Sequence, residues 1–274
     1  MSDPLILGAV AYDPKVVTIW EGFRRWFAEK GLPFDYILYS NYERQVEDLA
    51  GGRIDVAWNS PLAWIRSRRL VPQAQALVMR DTDRDLTSVI AVRDDSPIAD
   101  RSDLAGKRVA VGAVDSPQGT LLPLALLDGL DVDVRRFDVG VGLHGDHVGG
   151  EREAARALAA GEVDAACMID ANHLLFAKEG VLPAGSTRVV AQTQPYDHCN
   201  MTVTDTRSPL LERFVSLLLD MDYADAEVRP LLDLEGLTQW LPGRLSGYDQ
   251  LEAAVDTFAF YDETGRITAD DYRP

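Results

Sequence analysis

The side chains of this chain that could do chemistry are few and crowded into one stretch. All four histidines, His144, His147, His173 and His198, fall between positions 144 and 198, in company with Asp146, Glu151, Asp170 and Cys199. Imidazole, carboxylate and thiolate are the donors that hold zinc, iron or nickel, and the His144-x-x-His147 pair in a glycine-rich stretch offers two ligands to a divalent metal. The other reading of that pair is two exposed loop side chains, with His173 on the surface of a helix. His198 beside Cys199 could be a base with its nucleophile. Neighbours on a regular strand point to opposite faces, however, so only one of the two is expected to face a ligand. His198 is the expected one, as a hydrogen-bonding or acid–base group, with Cys199 and Cys167 behaving as small buried hydrophobes. Asp170 follows the apolar run Cys167-Met168-Ile169, and is either a carboxylate for a positively charged ligand group or the N-cap of the next helix.

The elements that must position these groups read as alternating strands and helices. The continuous apolar run over 5–11 predicts a strand buried on both faces. In 16–30 the residues Val16, Ile19, Trp20, Phe23 and Phe27 recur at helical spacing, and Gly31 supplies the stop. Strands at 36–39 and 54–58, with a helix between Asn41 and Gly51-Gly52, complete a β-α-β-α-β order that implies an open parallel sheet. A second such series has strands at 108–111 and 134–139 and helices at 120–127 and 151–160. The two are tied by an internal echo: Leu49-Ala50-Gly51-Gly52-Arg53-Ile54-Asp55-Val56-Ala57 matches Leu158-Ala159-Ala160-Gly161-Glu162-Val163-Asp164-Ala165-Ala166. Each is a helix end, a glycine turn, an aspartate and a short apolar strand, which implies two α/β lobes. The extended segment 86–97 and the return 199–204 are the expected links, with hinges at 92–96 and 197–202. The glycine-rich stretch 140–150 is the expected mobile loop of the second lobe.

Ligands of open α/β sheets bind beyond the carboxyl ends of the strands. In the first lobe this rule selects Tyr12, Asp13, Tyr42, Asn59 and Ser60. Ser60 before Pro61 sets a hydroxyl and free N–H groups at a helix start, which either caps that helix or binds a carboxylate or phosphate. In the second lobe it selects Ser116, Gln118, Gly119 and Thr120.

Several segments together resemble the phosphonate-binding branch of the type II periplasmic binding proteins, the substrate-binding components of ABC importers. They are Gly8-Ala9-Val10-Ala11-Tyr12, Asn41-Tyr42, the run from Gly52-Arg53-Ile54-Asp55 to Asn59-Ser60-Pro61-Leu62, Ser88-Val89-Ile90-Ala91-Val92, Asp103-Leu104-Ala105-Gly106-Lys107 and Gly161-Glu162-Val163-Asp164. The resemblance covers roughly residues 5–220. It implies a two-lobed α/β fold, each lobe an open, mostly parallel sheet flanked by helices, joined by two hinge crossovers. Lobe 1 is expected at 1–92 plus 201–274, and lobe 2 at 93–200. It also implies a serine/threonine-rich loop where this chain has Gln118, and a ligand-contacting histidine where counting back from Asp164 places Glu151. A carboxylate there would repel a phosphonate, so these departures favour a neutral, zwitterionic or cationic ligand group, or a metal.

Composition narrows the partners. Lys+Arg 27 against Asp+Glu 44 leaves a formal charge of −17, a field that repels nucleic acid and anionic membranes. No apolar stretch approaches the ~20 residues of a membrane span. The start Met1-Ser2-Asp3-Pro4 is acidic and no lipobox cysteine follows it, so the chain as written is expected in the cytoplasm, or in the periplasm or at the cell surface if a leader has been trimmed. The first functional expectation is a clamp closing on a small polar molecule, with an ABC permease as partner only if the chain is exported. The alternative is a cytoplasmic enzyme on the same scaffold, a lyase such as a dehydratase or decarboxylase, with His198, Glu151 and Asp170 as acid–base groups and a divalent metal at His144 and His147.

Overall fold

A computed structural model of the chain describes residues 3–138 and 147–274. Two sheets organise it. The first contains β1 (Leu5–Val10), β2 (Phe34–Tyr39), β3 (Val56–Asn59) and β4 (Gln75–Arg80). The second contains β5 (Ser88–Arg93), β6 (Arg108–Val111), β7 (Asp133–Arg136), β8 (Ala165–Ile169) and β9 (Thr187–Gln192). The chain then returns to the first sheet with β10 (Asn200–Val203) and β11 (Trp240–Pro242). The strand orders are β11-β4-β10-β3-β1-β2 and β7-β6-β8-β5-β9. In the first sheet β1 to β4 run in one direction and β10 and β11 oppose them; in the second only β5 is reversed. This is the expected two-lobed architecture with mostly parallel sheets.

Helices cover the sheets because each carries one apolar stripe. In α1 (Lys15–Glu29) that stripe is Val16, Ile19, Trp20, Phe23, Trp26 and Phe27, all buried. Phe27 meets Phe34 of β2 and Phe214 of the later helix 209–219 at ring-centroid distances of 4.7 and 5.3 Å. The next helices are α2 (Tyr42–Ala50), capped by the Asn41 side chain, and α3 (Pro61–Leu70), capped by Ser60 with Pro61 in its first turn. In the second lobe a π-helical turn over Pro117–Leu121 leads into α4 (Leu122–Leu126), followed by α5 (His147–Ala160) and α6 (Asp170–Lys178). Three helices end the chain: α7 (Pro209–Leu219), α8 (Arg229–Glu235) and α9 (Asp249–Thr257).

The internal echo is one structural device used twice. After α2, Gly52 takes φ +71° and the Asp55 carboxylate accepts from Ile6 N at 2.7 Å, fixing the start of β1. After α5, Gly161 takes φ +74° and the Asp164 carboxylate accepts from Arg108 N at 2.9 Å, fixing the start of β6. The glycines are needed because an L side chain resists that positive φ.

The links between the lobes differ from expectation. Residues 88–93 form β5, hydrogen-bonded on both sides within the second sheet, so the expected hinge at 92–96 and the boundary at 92/93 fall at the end of a paired strand. The sheets are joined instead by 81–87 and 193–199. Arg244 ties both crossovers: its Nε and Nη2 donate to the Asp197 carboxylate at 2.6 Å each, and Nη2 also to Asp85 at 2.6 Å. Asp197 is 1% exposed, and Gly247 packs so closely on it that any side chain there would collide. The expected mobile stretch 140–150 falls outside the described residues as far as 146; Gly149 and Gly150 belong to α5.

Candidate functional site

A cavity of about 220 Å³ lies where the two lobes meet the second crossover. The first lobe contributes Tyr12, Tyr42, Trp58, Ser60, Pro61 and Arg80; the second contributes Pro117, Gln118, His147 and Val148; His198 and Cys199 come from the crossover itself. The strand-end rule explains most of this wall. β1, β3 and β4 point their carboxyl ends the same way, so Tyr12 beyond β1, Ser60 beyond β3 and Arg80 at the end of β4 meet there.

Ser60 combines both of its expected roles. Its Oγ accepts from Ala63 N at 3.3 Å, capping α3, while the residue lines the cavity, so the positive end of the helix dipole is aimed at the ligand space. Three aromatic rings, Tyr12, Tyr42 and Trp58, and two prolines give the cavity an apolar body. Arg80 lies over Trp58, its guanidinium carbon 5.1 Å from the ring centroid.

Arg80 is the centre of a buried charge cluster. Its Nε and Nη2 form a fork on Asp83 at 2.5 and 3.0 Å, and Nη1 donates to the Glu235 carbonyl at 2.7 Å. The Glu235 carboxylate is 3.6 Å away. Burial alone would push the Asp83 carboxyl up, but the guanidinium and a hydrogen bond to His198 outweigh it and hold Asp83 at about 2. His198 Nδ1 lies 3.4 Å from Asp83 Oδ1 and 3.1 Å from Cys199 Sγ, and its Nε2 lies 3.4 Å from Gln118 Oε1. Burial pushes the Cys199 thiol well above its ordinary range, with the Asp83 charge adding to it.

His198 and Cys199 therefore both face the cavity, against the alternation expected of a strand. The reason is local: β10 starts only at Asn200, and the residues before it are irregular. Backbone bonds fix this segment, with His198 N donating to Asp83 O at 2.8 Å and the His198 carbonyl accepting from Tyr248 Oη at 2.9 Å.

Other expected site residues are engaged elsewhere. Asp13 closes the turn that leads into α1, accepting from Lys15 N at 2.7 Å. Asn59 is fully buried between the amide of Gln45 and the hydroxyl of Ser67, at 2.8 and 3.1 Å. Ser116 caps the π-helical turn through Gly119 N at 3.0 Å, and Thr120 donates to Ala113 O at 2.7 Å. Gly119 provides close packing, since a Cβ there would sit 3.0 Å from Ser116 Oγ and 3.1 Å from Glu151 Cγ. None of these residues is in the wall of the cavity.

Glu151 is the main correction. Its side chain is 0% exposed and its Oε2 accepts from Ile169 N at 3.0 Å and from Asn172 Nδ2 at 2.8 Å, so it joins α5 to the start of α6 behind the Gly119 turn. It is not in the cavity wall, and repulsion of an anionic ligand by a carboxylate in that wall does not follow. Asp170 is the first residue of α6, its Oδ2 accepting from Thr87 Oγ1 at 2.9 Å and its Oδ1 from Ala171 N at 2.7 Å. The three expected acid–base groups, His198, Glu151 and Asp170, thus sit in three separate hydrogen-bond sets. Of the expected metal pair, His144 lies outside the described residues, while His147 lines the cavity with Nε2 3.2 Å from Asp115 Oδ1. The group with metal-ligand geometry among the described residues is Asp83, His198 and Cys199, whose donor atoms lie within 4.8 Å of one another.

Arg80 and Asp83 escape sequence reading because the apolar run of β4 is too short to stand out as a strand. The available signal was an arginine at the carboxyl end of the short run Ala76-Leu77-Val78-Met79.

The described helices include none long and apolar enough to cross a membrane. The family model of the phosphonate periplasmic substrate-binding protein of ABC transporters matches residues 9–248. Among solved structures, XAC2383 from Xanthomonas citri, seen bound to chloride and to ATP, superposes with a TM-score of 0.70 at 20% identity, covering 93% of this chain and 98% of its own. PhnD1 from Prochlorococcus marinus, in complex with methylphosphonate, gives 0.68 at 17% identity over 94% of this chain and 99% of its own. The periplasmic aliphatic sulphonate binding protein SsuA from Escherichia coli gives 0.57 at 17% identity over 97% and 92%. At these identities the structural likeness is one of fold. The family model and SsuA are both described as periplasmic.

Proposed function

Because the chain belongs to the phosphonate periplasmic substrate-binding proteins of ABC transporters, we propose that it captures a small phosphonate in the cavity between its lobes and delivers it to a membrane permease. The observation that carries this reading is the cavity itself, with a wall from each lobe and the capped start of α3 turned into it. The oxyanion head rests at Ser60: the hydroxyl oxygen already accepts from Ala63 N, so its proton is available to donate, and the helix start adds favourable potential. The organic part of the ligand packs on Tyr12, Tyr42 and Trp58. Arg80 is held within its own cluster, since Asp83 and Glu235 engage all three of its guanidinium nitrogens and offset its charge. Gln118 and His147 close over the ligand from the other lobe.

In this reading lobe 1 comprises 3–80 and 200–274, lobe 2 comprises 88–192, and the crossovers 81–87 and 193–199 are the hinges. The protein works outside the cytoplasmic membrane, where a receptor must meet its solute. Calorimetric titration with methylphosphonate, methanesulfonate and acetate tests it. One site per chain with preference for the phosphonate is expected, with affinity falling about 10-fold or more in Ser60→Ala, the scale of one hydrogen bond to a charged group. Absence of binding by all three, or an unchanged affinity in Ser60→Ala, overturns the assignment.

A further inference from the structure

We propose that Asp83, His198 and Cys199 form a site for one thiophilic divalent cation, zinc being the ion they match, set in the wall of the cavity. The proposal does not depend on which solute the cavity takes. The three donors are an oxygen, a nitrogen and a sulfur from three different side chains. The His198 Nδ1 lies 3.4 Å from Asp83 Oδ1 and 3.1 Å from Cys199 Sγ. Tetrahedral zinc with ordinary bond lengths separates its donors by about 3.4–3.7 Å. All three donor atoms lie within 4.8 Å of one another, so side-chain rotations collect them.

The backbone presets the arrangement. The two crossovers are joined by His198 N donating to Asp83 O at 2.8 Å, which sets the carboxylate against the imidazole. The irregular backbone before β10 turns two consecutive side chains to one side. Arg80 is compatible with the ion: its Nε keeps Asp83 Oδ2 at 2.5 Å, while Oδ1, held by Nη2 at 3.0 Å, is the oxygen that turns to the metal. The guanidinium then orients the ligating carboxylate, as outer-shell partners do in metal sites.

Charge favours a cation independently of geometry. Asp83 and Glu235, 2% and 6% exposed, face one guanidinium, so once Glu235 has lost its proton, above about 7, the buried cluster carries one more carboxylate than cation. A dication that displaces the Cys199 thiol proton to solvent brings the cluster to neutrality. His198 and Cys199 both line the cavity, so the fourth coordination position opens into the ligand space, the pattern of zinc sites that keep an exchangeable position.

The test is titration of chelator-treated full-length protein with Zn²⁺ by calorimetry and with Co²⁺ by absorption spectroscopy. The expected result is one Zn²⁺ per chain and, with Co²⁺, a thiolate-to-cobalt charge-transfer band. His198→Ala and Cys199→Ala should each weaken Zn²⁺ binding at least about 100-fold, beyond the range of outer-shell losses. Cys167→Ala, which removes the other thiol, should leave it unchanged. Substoichiometric zinc, no charge-transfer band in the unaltered chain, or binding that survives both His198→Ala and Cys199→Ala overturns the proposal. Since the cobalt band is read on the unaltered chain, a poorly folded variant does not shelter it.

Discussion

Glu235 makes the stability of this protein depend on pH in a calculable direction. It ends α8 nearly enclosed, with Oε1 3.6 Å from Arg80 Nη1. Burial raises its carboxyl most; Arg80 pulls it down and the Asp83 charge pushes it up, leaving it at about 7 against an ordinary 4.5. A carboxyl raised on folding holds its proton more tightly in the folded state. Its contribution to stability is therefore complete below about 4.5 and is lost as pH rises through about 7. At 1.36 kcal/mol per unit the gap is worth about 3 kcal/mol, or about 6 °C in Tm for a chain of this size. Thermal unfolding of the wild type and Glu235→Gln across this window isolates the effect, because every other group titrates in both. The variant should gain on the wild type by that amount between the acidic and the basic end. Parallel Tm curves would refute the reasoning, and with it the placement of Glu235 in the Arg80 cluster.

Two further outcomes follow from the same geometry. In Gly247→Ala the new Cβ would lie 2.1 Å from Asp197 Cγ, so the Arg244 clasp on both crossovers must give way; urea unfolding should show a loss of about 3 kcal/mol, and a loss under about 0.5 contradicts the clasp. Glu151→Ala should cost about 2 kcal/mol or more by leaving the Ile169 N–H and the Asn172 amide short of an acceptor, while solute affinity changes by less than about 3-fold; a large affinity change at unchanged stability would return Glu151 to the ligand.

What the sequence made legible is what depends on short-range pattern. The apolar stripe of α1, the capped starts of α2 and α3, and the repeated glycine–aspartate device are local, and they lead directly to two α/β lobes; the strand-end rule then selects Tyr12, Tyr42, Ser60 and Gln118, and the return segment His198, all of which line the cavity, whereas His147 is expected only as a metal ligand. Local pattern falls short where backbone irregularity or long-range pairing decides the placement. The alternation rule separated His198 from Cys199 because it assumed a strand two residues before one begins. Counting back from Asp164 gave Glu151 its helix and its turn, but not the fact that it points behind Gly119 into the lobe. Arg80 was invisible for a different reason: β4 is an apolar run too short to stand out, and its partner Glu235 lies 155 residues away, joined only by the return of the chain to the first sheet. The crossovers shifted because the run 88–93 is extended enough for a linker, and only its pairing with β8 and β9 shows it to be a central strand.

The central claim is that one solute is gripped by both lobes at once. Calorimetry with methylphosphonate on the wild type, on Tyr42→Ala from the first wall and on Gln118→Ala from the second tests it most directly. Binding at one site per chain, weakened about 10-fold or more by each substitution with Tm preserved, is the predicted result. Binding that either substitution leaves untouched would mean that the cavity does not hold the solute between the lobes.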